Sequence, residues 1–157
     1  MPGPMPQKTD AELRKDRLRF YREEMTEINQ TLRNFLTRAK ANAAFLVDKD
    51  GHLITKEGTD ERVDVDAICG LVAGAFAATK QMALILGEET FLNLFHQGKR
   101  VNIQVTLVGN RTILAVVFDE NTTIGMVRLY LGEAASTLTT IFERILQRTE
   151  AAAAASS

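Results

Sequence analysis

The segment AICGLVAGAFAATKQMALIL, Ala67–Leu86, limits the possible folds most sharply, because Lys80 is its only charged residue. A bilayer's hydrocarbon core takes about 20 consecutive apolar residues, so length alone would admit a membrane span. Lys80 and Gln81 sit near its middle, however, and lysine at a helix centre costs roughly 2.5–3.5 kcal/mol on insertion. Much of the remainder is alanine and glycine, which contribute little to insertion. The segment therefore reads as a helix of a soluble domain, with no transmembrane segment in the chain. A helix lying on a sheet in a lone domain has a polar outer face, and this one has none. Ile68, Leu71, Ala75, Met82 and Leu86 form one face, expected to cover a sheet. Gly70, Ala73, Gly74, Ala77 and Gln81 lie opposite, neither charged nor bulky. Glycine lowers helix stability by roughly 1 kcal/mol relative to alanine, so local propensity does not account for Gly70 and Gly74. At 1.5 Å per residue the uncharged surface runs some 30 Å, more than a monomer usually leaves wet. An intermolecular surface is expected; the alternative is that the N-terminal helix folds over it within one chain.

The remaining elements place this helix. Residues 1–9 hold all three prolines and read as a disordered lead-in. A helix follows from Thr9 or Asp10, with Tyr21, Met25, Ile28, Leu32, Phe35, Leu36 and Ala39 at spacings of three and four. Upstream of Tyr21 that stripe is thin and Arg14, Lys15, Arg17, Arg19 and Arg22 crowd in, so 10–21 is expected to project as a solvated basic helix, with docking to an acidic partner or a membrane surface as the alternative. AAFLV and HLIT flank Asp50-Gly51, a two-residue hairpin turn in which both residues take positive φ. An EF-hand loop beginning at Asp48 would put Leu53 where glycine is needed and Thr59 where glutamate is needed, so calcium binding is set aside.

Asp64 or Asp66 caps the uncharged helix, which ends before Gly87. TFLNLFH, VNIQVTL and TILAVVF follow as strands, the last two joined at Gly109-Asn110 by a two-residue turn. VNIQVTL alternates, with Val101, Ile103, Val105 and Leu107 on one side and Asn102, Gln104 and Thr106 on the other. A final helix starts near Thr122 or Thr123 and frays at 150–157, EAAAAASS, leaving one domain over 10–149. AAFLV and TILAVVF are apolar on both faces and suit central strands. The fold expected is α+β: a five-stranded, mostly antiparallel sheet with strands 1 and 5 in the middle. The second helix lies on one face, the first and third on the other.

Catalytic patterns are lacking. There is no GxxxxGK[ST] or GxGxxG for phosphate, and no CxxC or HExxH for zinc. Cys69 is the only cysteine, which excludes an intramolecular disulfide, points to a reducing compartment and, in an apolar helix, reads as an inert thiol. His96 and His52 read as structural, and Ser136 has no nucleophile elbow around it. Net charge is −1, so no basic field favours nucleic acid. No cofactor or metal is expected. With no apolar h-region in MPGPMPQKTD, a cytoplasmic protein is expected.

Four stretches together carry a resemblance: FLVDKDGHLI, LVAGAFAATKQMALILGE, FLNLFHQGKR and VVFDENTTIGMVRL. From about Glu23 to Gln147 the chain resembles the Roadblock/dynein light-chain family and, within it, the bacterial MglB group. The resemblance implies a Roadblock/longin-like αββαβββα fold with strand order 2-1-5-4-3. It implies a homodimer through the second helix and third strand, on Gly70, Lys80, Leu84, Phe91, Leu92, Leu94 and Phe95. It also implies a platform on the paired second helices, at Ala73, Gly74, Ala77, Ala78 and Gln81, for one small Ras-like GTPase (MglA-like) per dimer. Such a protein has no active site of its own. It stimulates GTP hydrolysis by reshaping the switch regions of the GTPase, in the setting of cell polarity and gliding motility, with a cell pole as one location. A holding module without activating effect is the alternative. The acidic, apolar C-terminal tail of several such proteins has no counterpart in AAAAASS.

Overall fold

Thr9 opens the first helix with a reciprocal cap. Its hydroxyl accepts the Glu12 backbone N–H at 3.2 Å, and the Glu12 carboxylate accepts the Thr9 N–H at 2.8 Å. In this computed structural model, which describes residues 3–4, 6–89 and 92–155, helix α1 spans Asp10–Ala39 and ends at Lys40 in the left-handed region. Strand β1 (Ala43–Asp48) and strand β2 (Leu53–Gly58) follow, then helix α2 (Val65–Leu86). Strands β3 (Asn93–Gln97), β4 (Asn102–Val108) and β5 (Thr112–Phe118) lead into helix α3 (Ile124–Ala155).

The five strands form one sheet in the order β2-β1-β5-β4-β3, and every pairing is antiparallel. The central pair is β1 and β5, whose residues Ala43–Val47 and Thr112–Phe118 are buried throughout. Alternation divides the core into two layers. Ala44, Leu46, Leu114, Val116 and Phe118 pack against Ile28, Leu32 and Phe35 of α1 and Val127, Leu131 and Leu138 of α3. Ala43, Phe45, Val47, Val105, Ile113, Ala115 and Val117 pack against Cys69, Val72, Ala73 and Phe76 of α2. The expected fold and strand order are those observed, as is the side of the sheet on which each helix lies.

Three local expectations are corrected. At the β1–β2 turn only Gly51 has positive φ, +90°, and Asp50 does not. The Asp48 carboxylate instead accepts the N–H groups of Asp50 and His52, each at 2.9 Å, and the Asp48 N–H donates to the His52 carbonyl. An aspartate that organises its own turn makes the loop longer than two residues. The β4–β5 connection holds three residues, Gly109–Arg111, since Val108 pairs with Thr112. Helix α3 continues through Ala155 and does not fray at 150, because alanine is the strongest helix former. Its far end meets α1 electrostatically: Arg144 and Arg148 bracket the buried Glu24, at 3.7 and 2.6 Å. Tyr21, expected at the start of the α1 stripe, is 58 % exposed. The side chains of Lys15, Arg17 and Arg19 lie outside the described part.

Candidate interaction surface on the second helix

Asp64 caps α2, its carboxylate accepting the Ala67 N–H at 3.2 Å, and Gly87 closes it at φ +77°. The approach to this helix is held by a charged clamp. Arg62 donates from Nε and Nη2 to Asp60 at 2.8 and 2.7 Å, while Asn42 Nδ2 donates to Asp60 and Asp119 at 3.2 and 3.1 Å. The Arg62 guanidinium holds the Asp60 carboxyl well below the usual carboxylate range, against the opposing effect of burial. Asp119 is lowered chiefly by the backbone N–H of Asn121, with help from Asn42. Start of β1, end of β5 and the loop before α2 are thus joined at one point. At its other side α2 is touched by the β1–β2 turn: a Cβ at Gly51 would lie 3.1 Å from the Gly70 Cα.

The face of α2 that covers the sheet is not the one expected. Cys69, Val72, Ala73, Phe76, Thr79 and Ala83 are buried. Leu71, Met82 and Leu86 face outward, with Leu71 and Leu86 both 69 % exposed, and Ile68 and Ala75 are half buried. The reason is physical. In a helix without a polar side, hydrophobicity does not orient it, so size decides. Phe76 supplies one large anchor, and small neighbours let the helix lie close to the sheet. Ala73, expected on the platform, is therefore a core residue at 6 % exposure.

The other expected platform residues, Gly74, Ala77, Ala78 and Gln81, share the outward side, as do Gly70, Lys80 and Leu84. Among the described residues, a Cβ built on Gly70 or Gly74 would meet nothing within 4 Å. Packing among those residues therefore gives no reason for either glycine. Around this low-lying strip stand Leu71, Met82, Leu84, Ile85 and Leu86, with Ile85 at 83 % the most exposed. By length and composition α2 is apolar enough to cross a bilayer, yet one side of it forms a core layer with the sheet.

Strand β3 adjoins the end of α2 and forms one edge of the sheet. Of the strand residues expected at a dimer interface, Leu92 is exposed while Leu94 and Phe95 are half buried. Leu94 packs on the α2 side, and Phe95 stacks on Phe118 at 6.1 Å on the other. Phe91 lies outside the described residues.

The rest of the surface offers less chemistry. Burial, then Asp66, pushes the Cys69 thiol up, which disfavours the nucleophilic thiolate. Ligating atoms of Asp48, Asp50 and His52 lie within 4.8 Å of one another, but Asp48 is engaged by its own turn, and the His52 backbone N–H foremost lowers its carboxyl. A cleft of about 460 Å³ between α1 and α3, lined by groups such as Gln30, Thr31, Asn34 and Thr140, is far from α2 in the layering. Sequence reasoning missed the Asp60–Arg62–Asn42 clamp; the polar run KEGTDERVD was visible, its partners were not.

Known proteins place this surface in context. Residues 27–118 match the Roadblock/LC7 domain model. MglB of Myxococcus xanthus superposes with a TM-score of 0.72 at 39 % identity, over 76 % of this chain and 97 % of that one. The gliding protein MglB of Thermus thermophilus gives 0.70 at 32 % identity, over 78 % and 90 %. A structure described as MglB with tetrameric arrangement gives 0.73 at 31 % identity, over 77 % and 91 %. Among curated proteins no match is found. A domain model covering more than half of the chain, with MglB structures similar over about three quarters of it, carries the conclusion that this protein belongs to the Roadblock/LC7 family.

Proposed function

We propose that the protein is a homodimeric regulator of a small Ras-like GTPase of the MglA type and raises its rate of GTP hydrolysis. The observation that carries this reading is the outward side of α2, where Gly74, Ala77, Ala78 and Gln81 form an exposed strip without charge, and where packing among the described residues does not require the glycine. Small side chains let a partner's backbone come close, and surrounding leucine, isoleucine and methionine supply apolar area to bury. Membership of the Roadblock/LC7 family and the similarity to two MglB proteins support it. Two copies joining through α2 and the β3 edge, on Gly70, Lys80, Leu84 and Leu92, would set two α2 helices side by side as a platform for one GTPase. The chain contributes surface and no reacting group, so the hydrolytic residues would be those of the GTPase, their geometry changed by docking. Action in the cytoplasm, at a cell pole during motility, fits this role.

The test is GTP turnover by an MglA-type GTPase with and without the protein. Turnover should rise, and Ala77→Arg should abolish the rise by holding the two surfaces apart while leaving the fold intact. Tight binding with unchanged turnover would replace this reading with that of a non-activating adaptor. Equal stimulation by Ala77→Arg would remove the platform from α2.

A further inference from the structure

Charge is divided unevenly over the molecule. The whole chain nets −1. The exposed side of α2 and the residues at its two ends nevertheless carry five carboxylates, Glu61, Asp64, Asp66, Glu88 and Glu89, against Lys80 alone, a net of −4. The neighbouring Asp60 and Arg62 offset each other in their ion pair. Helix α1 lies on the opposite layer of the sheet, and residues 8–22 hold six basic residues against three acidic ones. The chain is therefore polarised, with its acidic side on α2.

Local structure explains only part of this pattern. Asp64 caps α2 and Asp66 stands in its first turn, where an acid meets the positive end of the helix dipole. Glu88 and Glu89 follow Gly87 at the other end, where acids oppose the dipole, and the last turn has no basic residue to offset them. Glu61, Glu88 and Glu89 are exposed, and their side chains make no hydrogen bond or ion pair among the described residues. Helix energetics and packing among those residues thus give these three acids no role. They stand at the two ends of the uncharged strip, on a helix about 33 Å long at 1.5 Å per residue over Val65–Leu86. Lys80 shares its side of the helix with Leu84, one turn on, and lies away from both ends.

We propose that the GTPase surface seated on α2 carries lysine or arginine at both ends of an apolar centre, and that the acids at the ends of α2 steer it onto the platform. This rests on the GTPase reading given above and adds the chemistry by which the partner is selected. The uncharged strip supplies burial, which has no direction. Charges at its rim supply direction, and they raise the association rate more than the affinity. In the dimer each protomer brings the same set of acids, so the field over the platform is reinforced. A GTPase with acids at those places is repelled, and the wrong partner is excluded although the apolar contact is unchanged.

The test is the association rate of the full chain with an MglA-type GTPase loaded with a non-hydrolysable GTP analogue, followed by stopped-flow fluorescence across salt concentration. The wild-type rate constant should fall by about tenfold between about 0.02 and about 0.3 M salt. At low salt Glu61→Gln, Glu88→Gln and Glu89→Gln together should slow association by about tenfold and flatten the salt dependence. Glu88→Lys with Glu89→Lys agrees with the helix dipole and so favours the folded α2, yet it should slow association further. A wild-type rate that is flat or rises with salt overturns the inference, as does either variant associating as fast as wild type. Stimulated GTP hydrolysis alongside such rates leaves the proposed function standing. A wild-type protein that neither binds nor stimulates the GTPase removes that function, and this inference with it.

Discussion

Replacing Gly70 and Gly74 together by alanine separates the two explanations for glycine in the middle of α2. Both residues are helical and outward-facing, and among the described residues a Cβ on either finds open space within 4 Å. Alanine is favoured over glycine in a helix interior by about 0.8–1.0 kcal/mol per site, so the pair should stabilise the isolated chain by roughly 1.5–2 kcal/mol. For a domain of this size 1 kcal/mol moves Tm by about 2–4 °C, which gives a rise of about 3–8 °C. The same two methyls would stand out of the surface where a second backbone has to approach. Urea unfolding at low protein concentration reads the first effect, and sedimentation with GTP turnover of an MglA-type GTPase reads the second. The expected result is greater stability with weaker association and weaker stimulation. Lower stability in dilute solution would refute the claim that the glycines face open space. Higher stability with association and stimulation intact would refute their role at an interface.

Other perturbations probe the frame that positions α2. Gly58→Ala should destabilise by roughly 2–4 kcal/mol in chemical denaturation, since φ is +77° and a Cβ would collide with the Asn42 carbonyl oxygen. Phe76→Ala, which removes the one large α2 anchor at 2 % exposure, should cost about 3–5 kcal/mol by the same assay. Asp60 is ionised more readily in the folded chain than its ordinary value of 3.8, so its contribution is present above about pH 4 and is lost as pH falls toward the lowered folded value. Asp60→Asn should therefore flatten the acid limb of a stability–pH profile, and an unchanged limb would remove the clamp from the account.

The element order, a helix start at Thr9 or Asp10, the glycine stop at 87 and the central placement of β1 and β5 were legible because each has a local pattern. Two strands apolar on both faces announce their burial, and a capping residue ahead of an apolar run at helical spacing announces a helix start. The orientation of α2 was not legible, because Ala73 and Ala77 are the same residue type and only three-dimensional closeness to the sheet separates them. The β1–β2 turn was misjudged because Asp48, outside the Asp50-Gly51 pair, supplies the closing acceptor. The clamp of Asp60 and Arg62 with Asn42 and Asp119 joins residues far apart in sequence. On α2 the outward position of Gly70, Gly74, Ala77 and Gln81 was foreseen from their lack of charge and bulk, whereas Ala73 was assigned outward and is buried, and Leu71, Met82 and Leu86 were assigned to the sheet and are exposed.

The central claim is that the outward side of α2 lies against another polypeptide, first of all a second copy of the chain. Mass in dilute solution, by sedimentation equilibrium on the wild-type protein, tests it most directly. The account predicts twice the 17.4 kDa of the single chain, with the proportion of dimer rising with concentration. A folded protein that remains at the single-chain mass across that range would contradict it.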